Sequence, residues 1–240
     1  MKKKFILFFQ TIFNSSFNKL GLFFSIFYFY LMLKNDRLIS NEQEFLKLKS
    51  FVKKNSSVID VGANIGRYTF ALSKIVGQKG FVYSFEPMCR SFLILNFLVF
   101  LSNLKNIILF KSALGNRNEK ILMKELYIYK NNPFLFDTNT GSYVIKKNDK
   151  SLTNNNLINY ALKLDDLCIK DKISFIKIDI EGNEYEFLLG AKNLIKKNKP
   201  ILLIEIHNNF NKVLKLLYKL NYKEKFYFKN SRNRVFYYRN

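Results

Sequence analysis

Val58-Ile59-Asp60-Val61-Gly62-Ala63-Asn64-Ile65-Gly66 is the stretch that decides the fold. Val58 to Val61 reads as a short buried strand, Gly62 to Gly66 as a tight turn, and Tyr68-Thr69-Phe70-Ala71-Leu72 as the helix that follows. A strand that runs through a glycine turn into a helix brings backbone N–H groups and a positive helix end to one point. Gly62 lets the backbone approach a ligand closely, and Gly66 lets helix and strand pack closely. Asn64 stands where a second glycine often stands, and asparagine tolerates the left-handed conformation needed there. Asp60, at the end of the strand, can accept hydrogen bonds from a cationic or hydroxylated ligand. Taken alone, such a turn is also compatible with a purely structural role.

The next segment outward narrows the choice. Gly80-Phe81-Val82-Tyr83-Ser84-Phe85-Glu86-Pro87 reads as a second strand ending in an acid. An acid at the tip of the second strand, roughly 20 residues on, commonly binds ribose hydroxyls. Beyond it the pattern predicts an apolar helix over 90–101, a third strand over 107–111 with a turn at Ser112-Ala113-Leu114-Gly115, and a strand over 119–129. Residues 130–159 are rich in Asn, Lys, Thr and Ser and read as a loop or lid on the binding side. A strongly apolar strand follows over 173–180, then a helix over 183–196, a strand over 200–206, a helix over 210–220, and an antiparallel pair over 222–228 and 235–238. Upstream, 41–54 reads as a helix with Phe45, Leu48 and Val52 on one face. Strands alternating with helices predict a mostly parallel α/β sheet, with ligands bound outside the carboxyl ends of the strands.

The charged residues fall at those ends. Lys177-Ile178-Asp179-Ile180-Glu181-Gly182 closes one strand and Glu205-Ile206-His207 the next. Side chains alternate faces, so Lys177, Asp179 and Glu181 share one side, as do Glu205 and His207. Isolated buried charges are expensive, so clusters that end apolar strands are expected to line a site. His207 is the only histidine in the chain. A lone histidine can be structural, but two residues after an acid at a strand end it is also a candidate base. The same acids and histidine have the chemistry of a divalent-metal site. Pairing with Lys177 would satisfy the carboxylates without one, and the metal-free reading is preferred.

Five motifs, in order, carry a resemblance. Val58 to Gly66, Phe85-Glu86-Pro87, Leu164-Asp165-Asp166-Leu167, Ile176 to Gly182 and Ile204-Glu205-Ile206-His207 are similar to the signature of the FkbM-type methyltransferases. The resemblance spans roughly residues 58–220. It implies the class I methyltransferase fold: a Rossmann-like seven-stranded sheet, helices on both faces, and a reversed C-terminal hairpin. It implies S-adenosylmethionine as methyl donor and a hydroxyl acceptor on a sugar, glycan or related metabolite. On that resemblance Asp60, Gly62, Asn64 and Gly66 would hold the methionine part of the donor, and Glu86 its ribose. Ser112 and Ala113 would lie near the adenine, while Asp179, Glu181, Glu205 and His207 would face the methyl group and acceptor. Two rivals remain at this point. One is a nicotinamide-dependent oxidoreductase, disfavoured by Asp60 and by the lack of an intact G-x-G-x-x-G. The other is an inactive, membrane-associated member of the fold.

Composition bounds the rest. The 240 residues suffice for one α/β core, and 48% hydrophobic content fits a packed chain. Forty basic against 18 acidic residues leave +22. That balance suits an anionic membrane or acidic glycan, though it also follows from a general bias toward Lys, Asn, Ile and Phe. The lysines are scattered with no arginine-rich stripe, so nucleic acid is not an expected partner. Cys89 and Cys168 have no metal-type spacing and point to a reducing, cytoplasmic setting, with the protein at most peripheral at the inner face of the membrane. Residues 1–40 form an apolar, aromatic extension before a domain over 41–240. Its two apolar runs fall short of the ~20 residues that span a bilayer. They read either as an interfacial helix with lysines toward head groups or as an extra helix packed on the domain.

Overall fold

The computed structural model describes residues 19–38, 42–125, 142–144, 156–207, 209–229 and 231–239. Its strands are β1 (Ser57–Val61), β2 (Val82–Phe85), β3 (Ile107–Phe110), β4 (Ala113–Gly115), β5 (Glu119–Glu125), β6 (Ser142–Val144), β7 (Asn156–Lys163), β8 (Ile173–Ile178), β9 (Ile201–Glu205), β10 (Tyr222–Tyr227) and β11 (Asn233–Tyr238). Its helices are α1 (Lys19–Lys34), α2 (Gln43–Leu46), α3 (Leu48–Phe51), α4 (Arg67–Val76), α5 (Cys89–Leu101), α6 (Glu184–Gly190), α7 (Lys192–Asn198) and α8 (Phe210–Lys219).

β1 is buried along its whole length because it is central. The main sheet runs β3-β2-β1-β8-β9-β11-β10. All pairs are parallel except those made by β11, which is antiparallel to both β9 and β10. This is the expected seven-stranded sheet with a reversed hairpin. The central strands read as unbroken apolar runs because helices cover both faces. On one face Val58, Val82, Phe175 and Leu203 meet Ile26 of α1, Leu48 of α3, Phe70 and Leu72 of α4, and Leu95 and Leu98 of α5. On the other, Ile59, Phe85, Ile176 and Leu202 meet Phe187 and Leu188 of α6, Ile195 of α7, and Val213 and Leu217 of α8.

Four expectations are corrected. Residues 41–54 hold two single turns, α2 and α3, not one helix. The helix expected over 183–196 breaks at Ala191 into α6 and α7. Gly190, the last residue of α6, packs so closely that a Cβ there would lie 1.9 Å from the carbonyl oxygen of Gly115. Ala113 to Gly115 is a strand rather than a turn. It belongs to a second sheet, β4-β7-β5-β6, that the sequence reading missed. The expected loop over 130–159 gives up Ser142–Val144 and Asn156 onward to that sheet, while 126–141 and 145–155 lie outside the described residues. β5 and β7 pair over six residues, from Glu119↔Ala161 to Lys124↔Asn156. The mixed Asn, Tyr and Lys content of β7 gives no clean apolar alternation to read.

α1 packs one side into the core through Ile26 and Phe29 and leaves Phe27, Tyr28 and Leu31 exposed. Among the described residues, no helix is long and apolar enough to cross a membrane.

Candidate active site

The turn after β1 is built by backbone constraint. Gly62 has φ +80, Asn64 φ +50 and Gly66 φ +99, so the turn needs three left-handed residues in five. The asparagine expectation holds. At Gly62 the structure gives a reason for glycine within the chain: a Cβ there would lie 1.9 Å from the carbonyl oxygen of Asp179. At Gly66 a Cβ would meet Leu95 of α5 at 2.5 Å, so this glycine lets α5 close on the turn.

Glu86 sits just past β2 and is 5% exposed. Its Oε2 accepts from the Asn64 N–H (2.8 Å) and its Oε1 from the Met88 N–H (2.8 Å). The acid therefore grips the glycine turn and its own loop together. Burial pushes its carboxyl up to about 7, against the pull of these two N–H groups. Past β3, the Ser112 hydroxyl is buried without a partner, and Ala113 opens β4.

Asp60 stands near the end of β1, as expected. It is fully buried and its Oδ2 accepts from Thr69 Oγ1 of α4 (2.6 Å). Thr69 also contacts Ser84 Oγ of β2 (3.0 Å). Register explains the seam: Asp60 of β1 stands between Lys177 of β8 and Ser84 of β2, all on one face. Lys177 is 4% exposed, donates to Asp179 Oδ2 (2.9 Å), and lies 4.6 Å from the ring centre of Tyr68. Burial raises Asp60 above the usual carboxylate range, with Lys177 and Thr69 opposing it. Burial opposes the charge on Lys177, but Asp179 and Asp60 outweigh it, so its affinity for the proton is raised. Asp60 thus ties β1 to α4, and among the described residues its Oδ1 has no hydrogen-bond partner.

The second cluster is made of side chains. Ile178 of β8 is paired with Ile204 of β9, which sets Asp179 beside Glu205 at the strand ends. His207 Nε2 lies 3.1 Å from Glu205 Oε1, and His207 Nδ1 lies 3.2 Å from Glu181 Oε2. The Nε2 contact is out of line for a hydrogen bond, leaving that buried atom with a charge beside it and no directed partner. Arg232, on the turn between β10 and β11, reaches Nδ1 at 2.7 Å. A guanidinium only donates, so with Arg232 in place Nδ1 accepts and the ring is neutral, its proton on Nε2. Glu205, then Glu181 and Glu184, raise the imidazole above its ordinary value, against burial. For Asp179, burial acts upward, but Lys177 prevails and the carboxyl is lowered. Burial raises Glu181 and Glu184. Among the described residues, Asp179, Glu205 and His207 each offer one ligand atom, all within 4.8 Å of one another.

Tyr68, Thr69, Ser84, Glu184 and Arg232 were not singled out from sequence. Arg232 carries no local signal. It arrives through the hairpin, held where Glu44 accepts from Asn233 Nδ2 and from Ser231 Oγ (3.0 Å) on either side of it.

The strand order, the glycine turn at the end of β1 and the acid past β2 together define a class I S-adenosylmethionine-dependent methyltransferase fold. Similar folds occur in a methyltransferase FkbM from Methylobacillus flagellatus KT (19% identity, TM-score 0.55) and a putative rRNA methylase from Clostridium thermocellum (13%, TM-score 0.51). The first match covers 78% of this chain and 44% of that one, the second 81% and 91%. This chain thus spans less than half the length of the M. flagellatus protein. No match was found among curated proteins. The model of the methyltransferase FkbM domain matches residues 60–224, and the chain belongs to that family. The nicotinamide reading falls with that assignment.

Proposed function

We propose that this protein methylates a hydroxyl oxygen on a sugar, glycan or related metabolite, with S-adenosylmethionine as donor. The observation that supports it is the direct contact between the two halves of the site. The Asp179 carbonyl lies over Gly62, so the glycine turn and the Asp179–Glu205–His207 group share one wall.

The residues fit such a donor. Glu86 offers a buried carboxylate for ribose hydroxyls, and Ser112 an unfilled buried hydroxyl. The left-handed turn at Gly62, Asn64 and Gly66 offers backbone groups for the methionine part, and Ala113, next to Ser112, would border the base. When bound, the sulfonium supplies a methyl carbon already activated for attack. The chain must then align the acceptor oxygen and take its proton. His207 Nδ1 is the atom for that proton. In the neutral ring Arg232 donates to it. Arg232 gives way to the acceptor hydroxyl, which donates to Nδ1 in its place; once protonated, Nδ1 donates to Glu181. Glu205 steadies the imidazolium from the Nε2 side, and Asp179, pinned by Lys177, orients the acceptor hydroxyl.

A second reading has a specific observation behind it: Asp179, Glu205 and His207 are spaced to ligate a divalent cation. Lys177 and Arg232 already supply positive charge there, which favours the metal-free site. A donor-dependent methylation screen against glycans, read by product mass, tests the activity. Repeating it with chelator and with added Mg²⁺ or Mn²⁺ separates the readings: the metal-free site keeps its rate, whereas a rate lost to chelator and restored by either ion assigns the cluster to metal. Donor binding without product from any hydroxyl acceptor would favour an inactive member of the fold.

A further inference from the structure

α1 and α5 pack side by side on one face of the main sheet, and both leave large apolar side chains in solvent. On α1 these are Phe27 (52% exposed), Tyr28 and Leu31. On α5 they are Phe97, Phe100 (76% exposed) and Leu101. The spacings i, i+1, i+4 and i, i+3, i+4 put each set on one side of its helix. Of the thirteen exposed large hydrophobics among the described residues, six lie on these two helices. Scattered singly they would need no explanation, but a group of six on one helix layer does.

Charge selects the occupant. Neither helix carries an acid; exposed Lys34 ends α1 and exposed Arg37 follows it, the intervening Asp36 being paired with Lys74, while exposed Lys105 follows α5. The chain as a whole carries +22. Two copies so charged repel each other, whereas an anionic lipid surface attracts the chain and receives aromatic side chains at head-group depth. We propose that the outer sides of α1 and α5 form one docking surface that lies flat on an anionic bilayer, with the apolar side chains below the head groups and the flanking cations among them. Its α5 side chains are exposed, unlike Leu95, the buried residue of that helix that packs on the glycine turn, and it does not depend on the methyl-transfer reading.

The chain has no tryptophan, so Phe100→Trp installs a single reporter on the patch. The full chain is mixed with vesicles of phosphatidylcholine alone or with 30% phosphatidylglycerol, at low and at physiological salt. Anionic vesicles should blue-shift the emission and bind at least tenfold more tightly than neutral ones. In flotation, Phe97→Ser with Phe100→Ser should weaken binding at least tenfold, and Phe27→Ser with Leu31→Ser should do likewise. Each variant is checked for an unchanged melting temperature. Binding that survives both pairs of substitutions, or that ignores lipid charge, overturns the proposal. So does an unshifted Phe100→Trp spectrum. Light scattering covers the remaining occupant: a dimer of the wild type that the same substitutions dissociate would assign the surface to a second copy.

Discussion

The two halves of the site are made in different ways. The glycine turn after β1 is made of backbone: left-handed residues, a carbonyl packed against a missing Cβ, and one buried carboxylate gripping two N–H groups. The His207 cluster is made of side chains on the ends of β8 and β9, partly open to water, whose charges are balanced against one another. Backbone geometry tolerates almost no substitution, because strain there is local and steep. A charge cluster can lose one member and rebalance. The first half should therefore fail all at once and the second by degrees.

The largest effect is expected at Gly62. Gly62→Ala adds a Cβ 1.9 Å from the Asp179 carbonyl and holds alanine at φ +80, so a loss of several kcal/mol in stability and of all measurable donor binding is expected. Gly77→Ala is the control: the space is open to 4.0 Å, so only the backbone cost of φ +72, ψ −173, a conformation nearly confined to glycine, should appear, ~1–3 kcal/mol. Thermal melts and calorimetry with S-adenosylhomocysteine measure both. Equal losses would mean that the contact with Asp179 carries no weight.

His207→Ala should come next. Removal of a base lowers turnover by ~10²–10⁴, with donor affinity nearly unchanged. Full turnover on a genuine acceptor would take histidine out of the reaction.

Glu86 gives a smaller effect that depends on pH. Its carboxyl titrates near 7 in the donor-free protein. Ribose hydroxyls donate to the charged form, so donor binding should release a proton. Affinity should then rise with pH by up to ~10-fold per unit below about 7 and level off above it. Glu86→Gln should bind more weakly and show no such slope. The same raised value has a consequence for folding. The unfolded carboxyl ionises near 4.5 and the folded one near 7, so this residue's contribution to stability is present below about 4.5 and lost as pH rises through about 7.

The smallest effect is expected at Glu181. Its carboxylate helps raise the imidazole of His207, so the acid limb of the turnover profile should lie above the ordinary histidine value. Glu181→Gln removes one raising charge and should move that limb to lower pH by less than a unit, while Glu205 still holds it up. A limb that moves upward would mean that Glu181 does not face the ring.

Much of this was legible in order along the chain. The strand-turn-helix at Val58 to Leu72, the acid after β2, and the pairs ending β8 and β9 all announce themselves through apolar runs that stop at charge. Placement across the sheet was not legible. Asp60 reads as a strand end in sequence, and the register of three strands sets it in the middle of a buried Lys177–Asp60–Ser84 row. Arg232 reaches His207 only because β11 returns antiparallel beside β9. The second sheet went unread because β4 has three residues and β7 has polar residues on both sides.

The contact between Gly190 and Gly115 has a consequence of its own. There α6 of the main layer meets β4 of the second sheet, main chain against main chain, with no room for a single methyl group. The seat of that sheet is therefore encoded by atoms left out. Residues farther along β5 and β7 can vary in size or charge without altering how the sheet is mounted, as a tool head can be changed on a fixed spindle.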